Sequence, residues 1–317
     1  MPPEYNRYVS RANVTALLPE AVTREIMQTV PTSSLVMRYA RRLPNMTSTQ
    51  LRMPVLAGLI TAGFVDGDTG LKPTSSMSWD SVYINVAELA VIVPIPESVL
   101  ADTNYDMWGE IRPRIVEAFG RAFDAAVLYG TNRPTDWPVG IVPGAVAAGH
   151  TVVRGALGDL YEDILGEGGV LALVEEDGFA VNGMLGALGL RAKFRSLRTT
   201  EGLPILLRDP SGPASYEFDG MAIQFPTTGI IDPTIAELIV GDWNQVTFAI
   251  RQDITYKILD QAVIMDAAKN IVFNLPQQDM VALRVVMRLG WALPNPTNNV
   301  NTNPATRYPF AALLPTP

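Results

Sequence analysis

The sequence predicts an α+β fold in which one long helix and one long hairpin stand among shorter strands and helices. Three observations support this prediction. Apolar residues recur every three or four positions over 105–129, as they do in an amphipathic helix. They alternate over 279–293, as they do in a half-buried strand. A Gly/Ser/Asp-rich excursion occupies about 48–82, which is long for a loop inside a compact domain.

The N-terminal part of the chain predicts an arm with a short helix. Over 17–30, Val22, Ile26 and Val30 are spaced four residues apart on one helix face. The following "SSLVMRYARRL" (33–43) predicts an apolar strand with a basic end.

The excursion at 48–82 predicts an extended β-hairpin. The stretches "LRMPVL" and "MSWDSVYINV" flank a Gly/Asp/Ser tip, and the second one places Val82, Ile84 and Val86 on one side. Because the segment is too long for its own domain, we predict that it acts on a neighbouring copy of the same protein.

A strand and the longest helix come next. "ELAVIVPIP" (88–96) is almost continuously apolar, which predicts a strand buried on both faces. The apolar stripe of the helix at 105–129 comprises Trp108, Ile111, Ile115, Phe119, Ala122 and Ala126. Its wetter side is predicted to comprise Glu110, Arg114, Glu117, Arg121 and Asp124. Pro113 is expected to kink the helix early, because it removes one backbone hydrogen bond.

The second half of the chain predicts a small α/β unit followed by a closing strand. A helix is expected over 159–176, then a short strand and a helix within 178–197. Short strands are expected at 203–207, 220–225 and 236–243. In the closing strand, Val281, Leu283, Val285, Met287, Leu289 and Trp291 face one way, while Arg284 and Arg288 face the other.

The end of the chain has a different composition. From Pro294 to Pro317, 24 residues hold six prolines and five asparagines. This composition excludes a helix, and the segment lacks a core-forming pattern. We therefore expect either disorder or an extended arm laid along a neighbouring copy.

The residue content excludes several kinds of catalytic and metal site. The chain contains no cysteine, which rules out disulfides, thiol nucleophiles and cysteine-ligated zinc. His150 is the only histidine, and it lies in a small-residue loop without a nucleophile pattern nearby. "GMLGALG" and "DGDTG" lack the residue spacing of phosphate-binding and calcium-binding loops. We therefore predict that the protein is not an enzyme and has no metal or cofactor.

The distribution of charge along the chain indicates which kinds of partner the protein binds. The net charge of -8 argues against tight nucleic-acid binding, which depends on basic patches. Residues 1–54 nevertheless carry seven arginines against three glutamates, so an arm that docks on an acidic surface of another subunit is expected. No apolar run reaches the roughly 18 residues that span a bilayer, and the first residues do not form a signal peptide. We expect a soluble protein made in a cytoplasm.

The order of these elements is similar to that in the major capsid proteins of tailed bacteriophages, whose Hong Kong 97-type fold is shared with encapsulins. The resemblance covers roughly 15–293, and it rests on an ordered series of stretches rather than on one diagnostic motif. They are "VPIPESVLAD", "AAVLYGTNRPTDWPVGIV", "FAVNGMLGALGLRAKFRSLRTTEGLPIL", "DGMAIQFP", "LIVGDWNQVTFAIRQDITYKI" and "MVALRVVMRLGWAL".

The resemblance implies a division of the chain into an arm, two domains and a tail. The regions are an N-terminal arm (1–32), the first part of a peripheral domain (33–138, with the hairpin or E-loop at about 48–82 and the spine helix at about 105–129), an axial domain (139–250), the return strands of the peripheral domain (251–293) and a Pro/Asn-rich C-terminal arm or tail (294–317).

The function that the resemblance implies is that of a major capsid protein. Such a protein assembles with itself, as hexamers and pentamers, into an icosahedral shell around double-stranded DNA that is held without sequence specificity. Because no long helical prodomain precedes the arm, a separate scaffolding protein is expected. A portal and a decoration protein are the other expected partners, and no membrane association is expected. The expected location is the virion capsid, assembled in the host cytoplasm.

Two other functions stay open at this point. An encapsulin, a cellular compartment of the same fold, would hold a cargo enzyme instead of long DNA. A cytoplasmic α/β enzyme would form a small stable oligomer with a substrate-sized pocket.

The resemblance also implies residues that contact neighbouring subunits. The candidates are Arg38, Arg41, Arg42, Arg52, Lys72, Trp79, Glu110 and Glu117. In one branch of the family, a lysine in a matching "LKP" forms an isopeptide bond with an asparagine of an adjacent subunit. Lys72 fits that lysine, whereas Asn274 lies near the partner region without aligning to it. No carboxylate in an apolar setting is evident as the base, so the alternative is that Lys72 pairs with an acidic neighbour.

Overall fold

The structure is a computed structural model that describes residues 34–64, 71–72, 74–102, 107–198 and 216–316. The helix predicted over 17–30, the tip of the hairpin at 65–70 and the strand predicted at 203–207 lie outside the described residues.

The described residues form both helices and strands, as the sequence predicts. The helices are α1 (Leu35–Tyr39), α2 (Glu97–Asp102), α3 (Met107–Tyr129), α4 (Ile141–Ala148), α5 (Leu160–Leu165), α6 (Val170–Glu176) and α7 (Leu190–Ser196), with short 3-10 turns at Trp243–Gln245 and Leu275–Gln277. The strands are β1 (Arg41–Arg42), β2 (Gln50–Gly58), β3 (Ser78–Asn85), β4 (Ala87–Pro96), β5 (Thr151–Val153), β6 (Gly183–Gly186), β7 (Glu217–Phe218), β8 (Met221–Gln224), β9 (Leu238–Gly241), β10 (Thr247–Leu259), β11 (Val263–Met265), β12 (Ile271–Asn274), β13 (Met280–Ala292) and β14 (Phe310–Leu314).

Two larger sheets and two hairpins organise these strands. A four-stranded sheet has the order β1-β10-β13-β4, and a six-stranded sheet has the order β5-β14-β9-β6-β8-β7. Strands β2 and β3 form the predicted long hairpin, and β11 and β12 form a shorter one. Strand β13 lies between β10 and β4 and is antiparallel to both, so its apolar side chains lie inside the four-stranded sheet rather than at its edge.

One hydrophobic core joins the two sheets through helix α3. Phe123 of α3 contacts Phe248 of the four-stranded sheet, with ring centroids 6.4 Å apart. Trp243 contacts Phe310 of the six-stranded sheet at 5.1 Å, edge to face. These rings and Trp291, which is fully buried, belong to the same buried cluster. The predicted long helix is confirmed, and it continues through Pro113 from Met107 to Tyr129.

The strand predicted over 33–43 is wrong for its first part, because residues 35–39 form helix α1. The hydroxyl of Ser34 caps this helix by accepting the amide of Met37 at 3.1 Å. The carboxylate of Asp124 in α3 accepts the amides of Leu35 at 2.8 Å and Val36 at 3.1 Å, and it also accepts the Ser34 hydroxyl. Since these bonds satisfy the free amides of the first turn, a five-residue helix is stabilised by a partner about 90 positions away.

The same contact corrects the prediction that Asp124 lies on the wetter side of α3. Its side chain is fully buried. Burial raises the pKa of Asp124 from its ordinary value of 3.8 to about 6, although hydrogen bonds from Ser34, Leu35 and Val36 act in the opposite direction. The periodicity of one helix cannot reveal a carboxylate that another element desolvates.

Two further expectations are corrected by local geometry. Strand β4 is an edge strand rather than one buried on both faces; its exposure alternates, and Ile92 on its outer face is 42% exposed. The single helix predicted over 159–176 is two helices, α5 and α6, separated at Gly166–Gly169. Gly168 has a φ of +75°, a left-handed conformation that interrupts the α-helix.

The C-terminal residues are not a disordered tail or a peripheral arm. Strand β14 lies inside the six-stranded sheet, parallel to β5 and antiparallel to β9. Residues 310–313 are fully buried there. A Cβ at Gly241 of β9 would collide with the ring of Phe310, so the two strands depend on a glycine at this crossing. The Pro/Asn-rich composition of 294–317 gives no indication of this short core strand.

Asp124 should make the stability of the fold depend on pH. Because its pKa is raised in the folded state, its stabilising contribution is complete below pH 3.8 and is lost as pH rises through about 6. We expect the free energy of unfolding of Asp124→Asn to lack a fall of about 3 kcal/mol over that interval. Chemical denaturation between pH 3 and 8 measures this slope. Glu117→Gln, on an accessible part of the same helix, should keep it, and parallel curves for Asp124→Asn and the wild type would contradict the account.

Phe310 should behave as a core residue. We expect Phe310→Ala to lower the free energy of unfolding by about 3–5 kcal/mol, because it leaves a cavity between buried strands. Val300→Ala, in the same Pro/Asn-rich region but 66% exposed, should change it by less than about 0.5 kcal/mol. Denaturant titration of both variants checks this, and equal effects would speak against β14 as a core strand.

Candidate inter-subunit interface

The long hairpin is firmly attached to the body at its base. Ile84 of β3 is fully buried in a small cluster with Met46, Ala249 and Ala292. The indole of Trp137 donates to the backbone oxygen of Asn85 at 2.9 Å. These contacts confirm the inward face predicted for the second strand, and they fix where the hairpin leaves the body.

Beyond its base, the hairpin exposes large apolar side chains. Phe64 and Leu71 are almost completely exposed, and Ile60, Trp79 and Tyr83 are between 45% and 65% exposed. Large apolar side chains exposed together along one element mark a surface that another molecule covers. The hairpin is therefore the candidate functional site of the chain.

Polar contacts keep the two strands of the hairpin in register. The guanidinium of Arg52 donates to the hydroxyl of Ser81 at 2.8 Å, and Gln50 donates to the side chain of Asn85 at 2.9 Å. Farther out, the amide of Thr61 donates to the hydroxyl of Ser75 at 2.8 Å. Trp79 and Tyr83 thus lie on the paired strand β3, whereas Ile60, Phe64 and Leu71 lie in the segments beyond the paired strands.

The predicted basic contact residues lie on the surface near the start of the described chain. Arg38 stacks over the ring of Tyr39, with the guanidinium carbon 5.9 Å from the ring centroid. Arg41 and Arg42 form β1, which runs parallel to the beginning of β10. Arg42 donates to the side chain of Asn45 at 3.2 Å. All three arginines are exposed, as is Arg52 on the hairpin.

The predicted acidic contact residues belong to helix α3. Glu117 pairs with Arg114 at 3.2 Å across one turn, and both side chains are accessible. Glu110 lies in the first part of the same helix. The predicted contact residues therefore lie on four elements of the chain, which are α1, β1, the hairpin and α3.

Lys72 and Asn274 lie on different elements. Lys72 is exposed in the distal part of the hairpin. Asn274 ends β12, and its side-chain amide donates to Gln277 at 2.7 Å. Any bond between Lys72 and Asn274 of another copy would first require this amide to leave its partner.

Sequence reasoning missed a buried polar cluster around Asp177. Its carboxylate lies 3.2 Å from Nε2 of His150 and accepts the backbone amide of Tyr308 at 2.6 Å. His150 and Asp177 are both under 10% exposed. The sequence shows that His150 is the only histidine. Its partner Asp177 lies at the end of helix α6, and no sequence motif links the two residues.

A cavity of about 510 Å³ lies between α3, β4 and the loop at 131–137, and Phe123, Ala126 and Trp137 are among its lining residues. Within the described ranges, no group of three or more His, Asp or Glu side chains is placed to hold a metal ion. Among the helices in those ranges, none is both long and apolar enough to cross a membrane.

Comparison with known proteins agrees with a shell protein. The model of the phage capsid family matches residues 15–298. The major capsid protein of Staphylococcus phage 80alpha is 27% identical over 273 residues, covering 84% of this chain and 78% of that protein.

Solved structures extend the similarity to almost the whole chain. A structure from Microbacterium phage Oxtober96 is 36% identical with a TM-score of 0.78, covering 97% of this chain and 99% of that one. A structure from Mycobacterium phage Cain is 31% identical with a TM-score of 0.77, covering 98% and 99%. The chain therefore belongs to the phage capsid family and is a major capsid protein.

Proposed function

We propose that the chain assembles as hexamers and pentamers into an icosahedral shell around double-stranded DNA, with the Hong Kong 97-type fold. The observation that carries this proposal is the hairpin, because Phe64 and Leu71 are 108% and 95% exposed on the part that lies beyond the base cluster and beyond the contact of Leu56 with Thr297. A second copy of the chain supplies the surface that covers them.

The two sheets support the division into a peripheral and an axial domain. The peripheral domain comprises 33–138 and 251–293, with the four-stranded sheet, α3 and the hairpin as E-loop. The axial domain comprises 139–250 and the six-stranded sheet. Strand β14 lies in that sheet, so we assign residues 310–314 to the axial domain and not to a separate tail. The arm at 1–32 completes the subunit.

Repeated docking of the hairpin explains how one chain closes a shell. A head-to-tail contact, repeated between identical copies, continues until curvature closes the assembly. The hairpin adds buried area without requiring a fully rigid body, so the same sequence fits slightly different neighbours. The residues proposed at these contacts are Arg38, Arg41, Arg42, Arg52, Lys72, Trp79, Glu110 and Glu117.

The charge supports a container rather than a tight binder of DNA. The net charge is -8, and a strongly basic lining would hold the genome and oppose its packing. The DNA is therefore held without sequence specificity. A scaffolding protein, a portal and a decoration protein complete the proposed set of partners, with assembly in the host cytoplasm and the virion capsid as final location.

Shell assembly should depend on the exposed apolar side chains of the hairpin. We expect Phe64→Asp to abolish shells, because docking would bury an unpaired carboxylate. The unfolding transition of the subunit should stay within about 0.5 kcal/mol of the wild type, since Phe64 is fully exposed. Electron microscopy and sedimentation measure assembly. Phe64→Leu keeps an apolar side chain and should still assemble; normal shells from Phe64→Asp would refute the proposed docking.

Shells should contain no covalent bond between subunits. We expect boiling in detergent to release only monomers, because the Asn274 amide is engaged by Gln277 and Lys72 is exposed. A denaturing gel reads this directly. A ladder of higher bands that is present in the wild type and absent in Lys72→Arg would show that the isopeptide bond forms.

A further inference from the structure

The segment between β13 and β14, residues 294–309, crosses from the four-stranded sheet to the six-stranded sheet. We call this segment the strap. It forms neither helix nor strand, yet Thr297 is only 9% exposed and Arg307 only 4%. A coil with buried polar side chains must satisfy them internally, so its path is specified by hydrogen bonds.

Arg307 gives the strap its own internal support. Its guanidinium donates to the side chain of Asn295 at 3.1 Å and to the backbone oxygen of Asn295 at 3.0 Å. It also donates to the backbone oxygen of Asn301 at 2.9 Å and to the hydroxyl of Thr297 at 3.3 Å. These bonds from one planar group hold three points of the strap in a fixed arrangement.

Asp177 fastens the strap to the end of helix α6. Its carboxylate accepts the side-chain amide of Asn301 at 2.6 Å and the backbone amide of Tyr308 at 2.6 Å. Its backbone oxygen accepts the side-chain amide of Asn298 at 2.7 Å. His150 lies beside the same carboxylate, with Nε2 at 3.2 Å. Asp177 therefore attaches the middle of the strap to the six-stranded part of the molecule. The end of the strap has further bonds there, from the Tyr308 hydroxyl to the backbone oxygen of Ile141 at 3.2 Å and from the Asp242 amide to the backbone oxygen of Pro309 at 2.9 Å.

The other side of the strap contacts the long hairpin. The backbone amide of Thr297 donates to the backbone oxygen of Leu56 in β2 at 3.0 Å. Leu56 lies five residues beyond Leu51, which packs in the base cluster, so the contact is about 17 Å farther along the hairpin. Val55 beside it is only 8% exposed, in contrast to the open apolar side chains nearer the tip.

We propose that the strap couples the long hairpin to the six-stranded sheet and holds the first half of the hairpin in one orientation. The coupling runs from Leu56 through Thr297, Arg307 and Asn301 to Asp177. The contact lies immediately before the register irregularity between Leu56 and Gly58. Bending of the hairpin is therefore confined to its distal part. A substitution of Asp177 alters the hairpin through the strap, although no hydrogen bond joins Asp177 directly to the described part of the hairpin.

This coupling is a property of the single chain, so it does not depend on the proposed docking between subunits. It is tested by hydrogen exchange on the full-length unassembled chain, following the paired amides of β2 and β3 and, separately, those of β14. Thr297→Pro removes the amide that binds Leu56, whereas Thr297→Ser keeps both the amide and the hydroxyl. Asp177→Ala removes the side-chain bonds to Asn301 and Tyr308, whereas Glu176→Ala changes the exposed last residue of helix α6 beside it.

We expect Thr297→Pro and Asp177→Ala each to speed exchange in β2 and β3 by about fivefold, as for the loss of one hydrogen bond. The two control variants should exchange like the wild type. If β2 and β3 keep their wild-type protection in variants whose β14 stays protected, the coupling is refuted. Where one variant loses the protection of β14 itself, the other decides the question.

Discussion

The long hairpin carries more large apolar side chains than the body of its own chain covers, and the rest of the structure depends on this constraint. Residues of helix α3 and of both sheets form one buried cluster in the body, and Phe123, Trp243 and Phe310 belong to it. The base of the hairpin joins a small cluster of its own through Ile84. Phe64 and Leu71, farther out, remain open to water. Burying them requires a second molecule, which is what a shell subunit has on every side.

The C-terminal strand shows how the body is completed without help from a neighbour. Strand β14 enters the six-stranded sheet between β5 and β9, so the sheet is continuous only after the last residues of the chain are in place. The strap that leads to it uses Arg307 and Asp177 as buried polar anchors. A buried network of this kind favours one arrangement, because each partner lost leaves a desolvated group unpaired. The attachment of the hairpin at Leu56 follows from the position of this network, because Thr297 takes part in both.

Periodic elements were predictable from the sequence because their signal is local. The alternation in β13 and most of the stripe on α3 place their apolar residues where the structure has them, although Ala122 of the predicted stripe is exposed. The hairpin was marked by its length and composition. Prediction failed where a distant partner decides the local structure. Helix α1 is stabilised by Asp124, which accepts two amides of its first turn, and β14 is a strand because it pairs with β5 and β9. Five apolar residues after a Pro/Asn-rich stretch give no such signal on their own.

The candidate site was predictable as a segment but not as a set of side chains. Trp79 and Lys72 belong to the exposed hairpin, whereas the strap contact at Leu56 and the cluster around Asp177 depend on backbone groups that no motif records. An electron microscopy map of purified shells, resolved to side chains, tests the central claim most directly. The account predicts that Phe64 and Leu71 of each subunit are buried against a neighbouring copy. A map in which they fold back onto their own subunit would contradict it.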